Sequence, residues 1–217
     1  MFKYLLFDLD GTLTESGSGI MNAARFALDH YGIRDVSEEE LRRFIGPPLK
    51  DSFMRFYGFD EDTATEAIVW FRKYYNTQGW CENSPYPGVI DMLKELKESK
   101  FTLIVATSKI EVQAVRICSH FGLDCYLDGI VGSDDGARSK KSDVIRYVLK
   151  EYGVDDLSEA IMIGDREHDI FGAKDAGLKS MGVLYGYGDR EELEKAGADI
   201  IAERVEDISK FFCNIRY

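Results

Sequence analysis

Cysteine is sparse in this chain and follows no pattern. Its four residues, Cys81, Cys118, Cys125 and Cys213, form no CxxC pair and no regular framework. That excludes a disulfide scaffold and reads as incidental thiols of a reducing compartment. The three histidines, His30, His120 and His168, are scattered without metal-ligand spacing. Basic residues are also in deficit: 27 Lys and Arg against 39 Asp and Glu, for a net charge of −12. A nucleic-acid surface would need a basic stripe, so a nucleic-acid partner is not expected. An anionic small molecule stays open, because a metal or a lysine can reverse the sign inside one cleft. No apolar run approaches the length of a membrane span, and the N-terminal one is short and ends in DLD. The expectation is a soluble, cytoplasmic protein with no membrane partner. Internal repeats and low-complexity segments are missing as well.

What is present is an alternation. Short apolar runs at Tyr4 to Leu9, Thr102 to Ala106, Gly129 to Val131, Ala160 to Ile163 and Ser180 to Leu184 are separated by helical stripes. Val89, Ile90, Leu93 and Leu96 form one stripe; Val144, Ile145, Val148, Leu149 and Tyr152 form another. Strand and helix in alternation predict an α/β fold with a parallel sheet covered on both faces. The alternation breaks once, between about Gly17 and Gln78, where only helical periods occur. Ser37 and Glu40 have the spacing of a capping box inside that stretch. Its flanks, ESGSG (15 to 19) and ENSPYPG (82 to 88), are rich in turn residues. The predicted division is therefore a core of residues 1–14 and 85–217, with a helical insertion and its hinge segments at 15–84.

The first run ends in DLDGT. In an extended chain Asp8 and Asp10 point to the same face about 7 Å apart, which is costly beside apolar sequence unless a positive partner joins them. Ligands of open α/β sheets gather at the carboxyl ends of the strands. Four chain-distant segments reach that edge: DLDGT (8 to 12), ATSK (106 to 109), SKKSD (139 to 143) and GDREHD (164 to 169). They deliver acids, a hydroxyl and a lysine. The positive partner is accordingly a divalent cation held by Asp8, Asp10 and Asp165, and an all-oxygen set suits Mg²⁺. Asp165 and Asp169 are four apart, on one face if a helix starts there.

DLDGTLT, TSK, the lysine of KSD and GDREHD match, in order, the four motifs of the haloacid dehalogenase superfamily, which the chain resembles over essentially its whole length. FIGPPL, GVLYGYG and the placement of the insertion are similar to its phosphoglycolate phosphatase and 5′-nucleotidase-like branch. The resemblance implies a Rossmann-like three-layer core with a central parallel sheet and an inserted α-helical cap domain. It implies a Mg²⁺-dependent phosphatase acting on a small phosphorylated metabolite through an aspartyl-phosphate. Asp8 would be the nucleophile and Asp10 the acid and base, with the Asp10 carbonyl on the metal. Thr107 and Ser108 would bind phosphate, and Lys141 would bridge Asp8 and the phosphoryl group. Asp165 would ligate the metal and Asp169 support it, directly or through water. Gly46, Pro47, Pro48 and Leu49 would face the substrate from the cap. A 5′-nucleotidase and a sugar phosphomutase share this core; a phospho-receiver switch also has paired acids after its first strand, but its acceptor Asp would follow a mid-chain strand and it would have no helical insertion.

Plainer readings stand beside these. Thr107 and Ser108 could cap a following helix. Lys140 adjoins Lys141, and the residue before Ser-Asp is the better match. Arg166 and His168 either line the cleft or lie on a solvated helix face. GSG (17 to 19) reads as a hinge, the stripe Trp70, Phe71, Tyr74 and Tyr75 as cap core, and GPP (46 to 48) as a substrate loop or an interhelical turn.

Overall fold

The computed structural model describes residues 1–134 and 136–214. Strand β1 (Tyr4–Phe7) runs through the middle of a six-stranded sheet. The remaining strands are β4 (Thr102–Ile110), β5 (Gly129–Ser133), β6 (Ala160–Gly164), β7 (Lys179–Val183) and β8 (Ile200–Ala202), in the order β5-β4-β1-β6-β7-β8. Two short strands, β2 (Thr14–Glu15) and β3 (Ser84–Pro85), stand where the chain leaves and re-enters this unit. All pairings of the sheet for which registers are given are parallel. The order reverses at β1, with β4 and β5 laid down on one side of it and β6, β7 and β8 on the other, so the site edge of an open sheet falls at its carboxyl end.

Alternation along the strands decides which helix covers which face. Leu6, Ile104, Ala106 and Met162 point into one cluster with Val144, Ile145, Val148 and Leu149 of α7 (Lys141–Glu151) and Ala173 of α8 (Glu167–Ala176). Their neighbours Leu5, Leu103 and Ile161 are fully buried on the other face. There α5 (Val89–Glu98) packs with α10 (Val205–Asn214), and Phe212 meets Phe101 edge to face at 5.8 Å. Helices α6 (Glu111–His120) and α9 (Arg190–Ala196) complete the unit.

The chain forms two compact units, one of Met1–Glu15 with everything from Pro85 on, the other Ser16–Ser84. The second unit is all helical: α1 (Gly17–His30), α2 (Glu38–Arg42), α3 (Leu49–Tyr57) and α4 (Glu61–Tyr75). Alanines make the α1–α4 contact close: Ala23, Ala24 and Ala27 on one side, Ala64 and Ala67 on the other, all fully buried. The capping box of Ser37 and Glu40 is formed. Phe71 and Tyr75 are buried, while Trp70 and Tyr74 are half-buried and ring Phe26.

Three local readings change. Gly17 to Gly19 form the first turn of α1 in place of a loop, and Gly19 lies so close to the Gly79 carbonyl that a Cβ would collide with it. Strand β4 continues past Ala106 to Ile110, with a register shift against β5 over that stretch. The sixth strand, β8, has three residues, too short to show a period of its own. Among the described residues no helix is long and apolar enough to cross a membrane.

Candidate active site

The strand β1 hands the chain to a tight loop. Asp8 N–H still bonds the Ile163 carbonyl of the neighbouring strand at 2.9 Å, after which Leu13 and Thr14 N–H return to the Leu9 carbonyl at 3.0 and 2.9 Å. Gly11 sits at φ +85°, and a Cβ there would run into the Asp165 carboxylate. Glycine is required at this point by both backbone and space. The loop thus brings Asp8 and Asp10 to the end of β6, where Asp165 follows Gly164.

Asp8, Asp165 and Asp169 each offer one oxygen to a group in which these atoms lie within 4.8 Å of one another. Lys141, at the first turn of α7, is buried among them. Its Nζ lies 2.8 Å from Asp8 Oδ1 and 2.8 Å from Asp169 Oδ1, and donates to the Ala106 carbonyl at 3.1 Å. Lys140 is exposed and serves as the N-cap residue of α7. Helix geometry therefore separates two adjacent lysines. Asp169 is the third residue of α8 and accepts from Arg166 N–H at 3.2 Å, while Asp165 lies before the helix. The two acids are brought together by a capping turn and not by one helical face, which corrects the spacing argument.

Asp165 is fully buried and held from two sides: Thr12 Oγ1 donates to its Oδ1 at 3.3 Å and Tyr187 N–H to its Oδ2 at 2.8 Å. Thr107 is buried at the start of the irregular part of β4 and hydrogen-bonds Asp8. The strand carries on through it, and α6 begins only at Glu111 with Ile110 at its N-cap, so Thr107 and Ser108 do not cap that helix. Ser108 is exposed. Lys109 reaches Asp10, its Nζ 2.7 Å from Oδ2. Asp10 stands outside the three-acid group and has its own cation. Arg166 binds Glu192 at 2.8 Å, which ties it to α9. His168 is half-buried. Gly46 to Leu49 belong to the helical unit, in the connection from α2 to α3, with Pro48 at the N-cap of α3.

The electrostatics follow from burial. Loss of water raises Asp8 above its ordinary value; Lys141 pulls it down and Asp169 pushes it up again. Asp165 is raised well above the carboxylate range, first by burial and then by Asp169 and Asp8. Burial by itself would lower Lys141, but the two carboxylates outweigh it and the ammonium is held more firmly than usual. Two buried carboxylates and a third that is half-buried, with one lysine between two of them, leave excess negative charge. With oxygen donors only, the set fits a hard divalent cation.

Three contacts lay beyond the sequence reading: Lys109 to Asp10, Thr12 to Asp165 and Tyr187 N–H to Asp165. Lys109 had a signal, since it ends the TSK triplet. Tyr187 had only its flanking glycines.

The sequence profile of the haloacid dehalogenase-like hydrolase family matches residues 5–183, and the chain belongs to that family. It is a phosphatase of that family, as its relatives are named. It is 43% identical over 193 residues to a 5′-nucleotidase of Pseudomonas aeruginosa, covering 88% of this chain and 87% of the relative. A phosphoglycolate phosphatase of Vibrio parahaemolyticus is 30% identical, with 95% and 94% covered. The crystal structure of a predicted phosphatase from Clostridium acetobutylicum superposes with a TM-score of 0.94 at 46% identity, covering 99% of each chain.

Proposed function

We propose that this chain hydrolyses the phosphomonoester of a small metabolite in a Mg²⁺-dependent reaction that passes through an aspartyl-phosphate on Asp8. The observation that carries the reading is Lys141, whose buried ammonium is shared between Asp8 and Asp169 at 2.8 Å each. A carboxylate can attack an anionic phosphoryl group only where the repulsion between them is offset, and this lysine stands at that place. Asp8 attacks phosphorus in line, and the bond from phosphorus to the leaving oxygen breaks as the acyl phosphate on Asp8 forms. Asp10 gives its proton to the leaving oxygen through Oδ1, then takes one from the water that attacks phosphorus. Inorganic phosphate leaves and Asp8 is regenerated. Thr107 and Lys141 hold the phosphoryl oxygens, Ser108 supporting them from the exposed side. Asp8, Asp165 and Asp169, with the Asp10 carbonyl, would hold Mg²⁺, which supplies neutralisation of the phosphoryl charge when bound.

Recognition of the leaving group falls to the helical insertion as a cap, residues 15–84, through Gly46 to Leu49. Nucleoside 5′-monophosphates come ahead of phosphoglycolate as substrates, because the 5′-nucleotidase relative has the higher identity of the two. The test is phosphate release from p-nitrophenyl phosphate, nucleoside monophosphates, phosphoglycolate and sugar phosphates, with EDTA and with added Mg²⁺. Release that depends on Mg²⁺ and favours one natural ester supports the reading. Full activity in protein shown free of metal, or an isomerised sugar phosphate in place of free phosphate, would overturn it.

A further inference from the structure

The segment Tyr185 to Gly188 runs so close to Asp165 that neither of its glycines has room for a side chain. A Cβ on Gly186 would strike the Asp165 side chain and the Gly11 carbonyl, and one on Gly188 the Asp165 carbonyl. That approach places Tyr187 N–H 2.8 Å from Asp165 Oδ2. The backbone is then fixed by its two tyrosines, both of which reach the loop that follows Asp10. Tyr185 OH donates to the Thr12 carbonyl at 3.0 Å, and Tyr187 OH donates to Glu15 Oε1 at 3.2 Å. Thr12 itself bonds Asp165. Tyr86 closes the cluster, its ring edge-on to Tyr185 at 5.1 Å and its hydroxyl in a hydrogen bond with Tyr187. Glu15 is the last residue before the chain leaves this unit.

We infer that Tyr187 is a positioning residue for the metal site: its hydroxyl bond to Glu15 fixes the backbone N–H that aims Asp165, and so sets the affinity for Mg²⁺. The inference rests on Asp165 being a metal ligand. A carboxylate with a free second oxygen can rotate; one whose Oδ2 is pinned presents the same face each time. Groups that orient a ligand in this way are worth about tenfold to a hundredfold in metal affinity. The phenol of Tyr187 bonds Glu15 and Tyr86, so its loss should act on metal binding and leave phosphate-ester binding alone.

Titration calorimetry with Mg²⁺ alone tests this on the full chain. Tyr187→Phe is expected to weaken Mg²⁺ binding by about tenfold, with KM for the ester unchanged at saturating Mg²⁺ and kcat recovered there. Glu15→Ala should weaken Mg²⁺ binding in the same direction, by no more than Tyr187→Phe, which also loses the bond to Tyr86. Glu15→Gln, which keeps an acceptor oxygen, should retain most of the affinity. The double variant Tyr187→Phe/Glu15→Ala should be no worse than Tyr187→Phe alone, because that variant already removes the bond to Glu15. Wild-type affinity in Tyr187→Phe, while Asp165→Asn abolishes binding, overturns this inference and leaves Asp165 as a ligand. Undiminished binding in Asp165→Asn overturns the ligand assignment and this inference with it. Equal losses in Glu15→Gln and Glu15→Ala also overturn it, since charge and not the hydrogen bond would then matter.

Discussion

The ammonium of Lys109 lies 2.7 Å from Asp10 Oδ2, and the other oxygen of that carboxylate, Oδ1, is buried without a hydrogen-bond partner among the described residues. The pair divides the work of the two acids that open the chain. Asp8 belongs to the three-acid group, whereas Asp10 is drawn aside by a lysine from the irregular end of β4. In the proposed mechanism the anchored oxygen aims the other, through which Asp10 passes the proton.

Replacing Lys109 by Met should therefore damage the proton-transfer step. Asp10 would lose the contact that aims Oδ1, and kcat is expected to fall by roughly tenfold or more. Mg²⁺ affinity should change little, because Asp10's side chain is outside the metal group. Steady-state kinetics with a Mg²⁺ titration separate the two effects; an unchanged kcat would count against the pairing as a catalytic device.

Asp8→Asn is isosteric and keeps the fold, but the amide is no nucleophile. Phosphate release should drop by several orders of magnitude. Trapping of labelled phosphate on the wild type and not on Asp8→Asn checks the covalent step directly.

Lys141→Met removes the buried cation between Asp8 and Asp169. Breaking a buried pair on one side typically costs about 3–5 kcal/mol, because the remaining charge is left uncompensated. Urea unfolding of the metal-free protein should show a loss of that order. Added Mg²⁺ should restore part of it, by supplying positive charge to the same acids.

The metal-free protein should also lose stability as pH rises. Asp8 and Asp165 have folded-state values above the ordinary 3.8. The folded state therefore holds protons that the unfolded chain has already released, and stability falls from about pH 4 upward through the raised values. Mg²⁺ competes with those protons, so the Tm gain it gives should be small in acid and grow toward neutral pH. Thermal scans at several pH values, with EDTA and with Mg²⁺, check the sign; a gain that shrinks as pH rises would contradict it.

The segment from Gly46 into the start of α3 at Leu49 holds two successive prolines, whose rings fix φ and stiffen it, with Pro48 at φ −55°. Replacing Pro47 and Pro48 by Gly should lower kcat/KM on the best natural substrate by about tenfold, about 1.4 kcal/mol. A small unspecific ester should be affected much less. Equal losses on both would mean that the loop supports the fold.

Local sequence determined the parts of this site that short-range chemistry defines. DLDGT had to be a strand end with a tight turn, since Gly11 alone tolerates both its φ and the carboxylate above it. KKSD had to open a helix, whereas the acids of GDREHD suggested one helical face and the structure joins them by a capping turn. The parallel sheet was equally legible, because buried strands alternate with amphipathic helices. The tertiary structure decided which charges meet. Nothing in TSK says that Lys109 turns to Asp10, because a long flexible side chain takes its partner from whatever packing brings near. Nor does KK say which lysine is buried; the start of α7 turns Lys140 out and Lys141 in. Tyr187 lies 22 residues from Asp165, and its N–H finds that carboxylate only because β7 lies beside β6 and two glycines let the chain close on it. β8 shows the same limit. Three residues pair because β7 offers an edge, and no period of their own announces them.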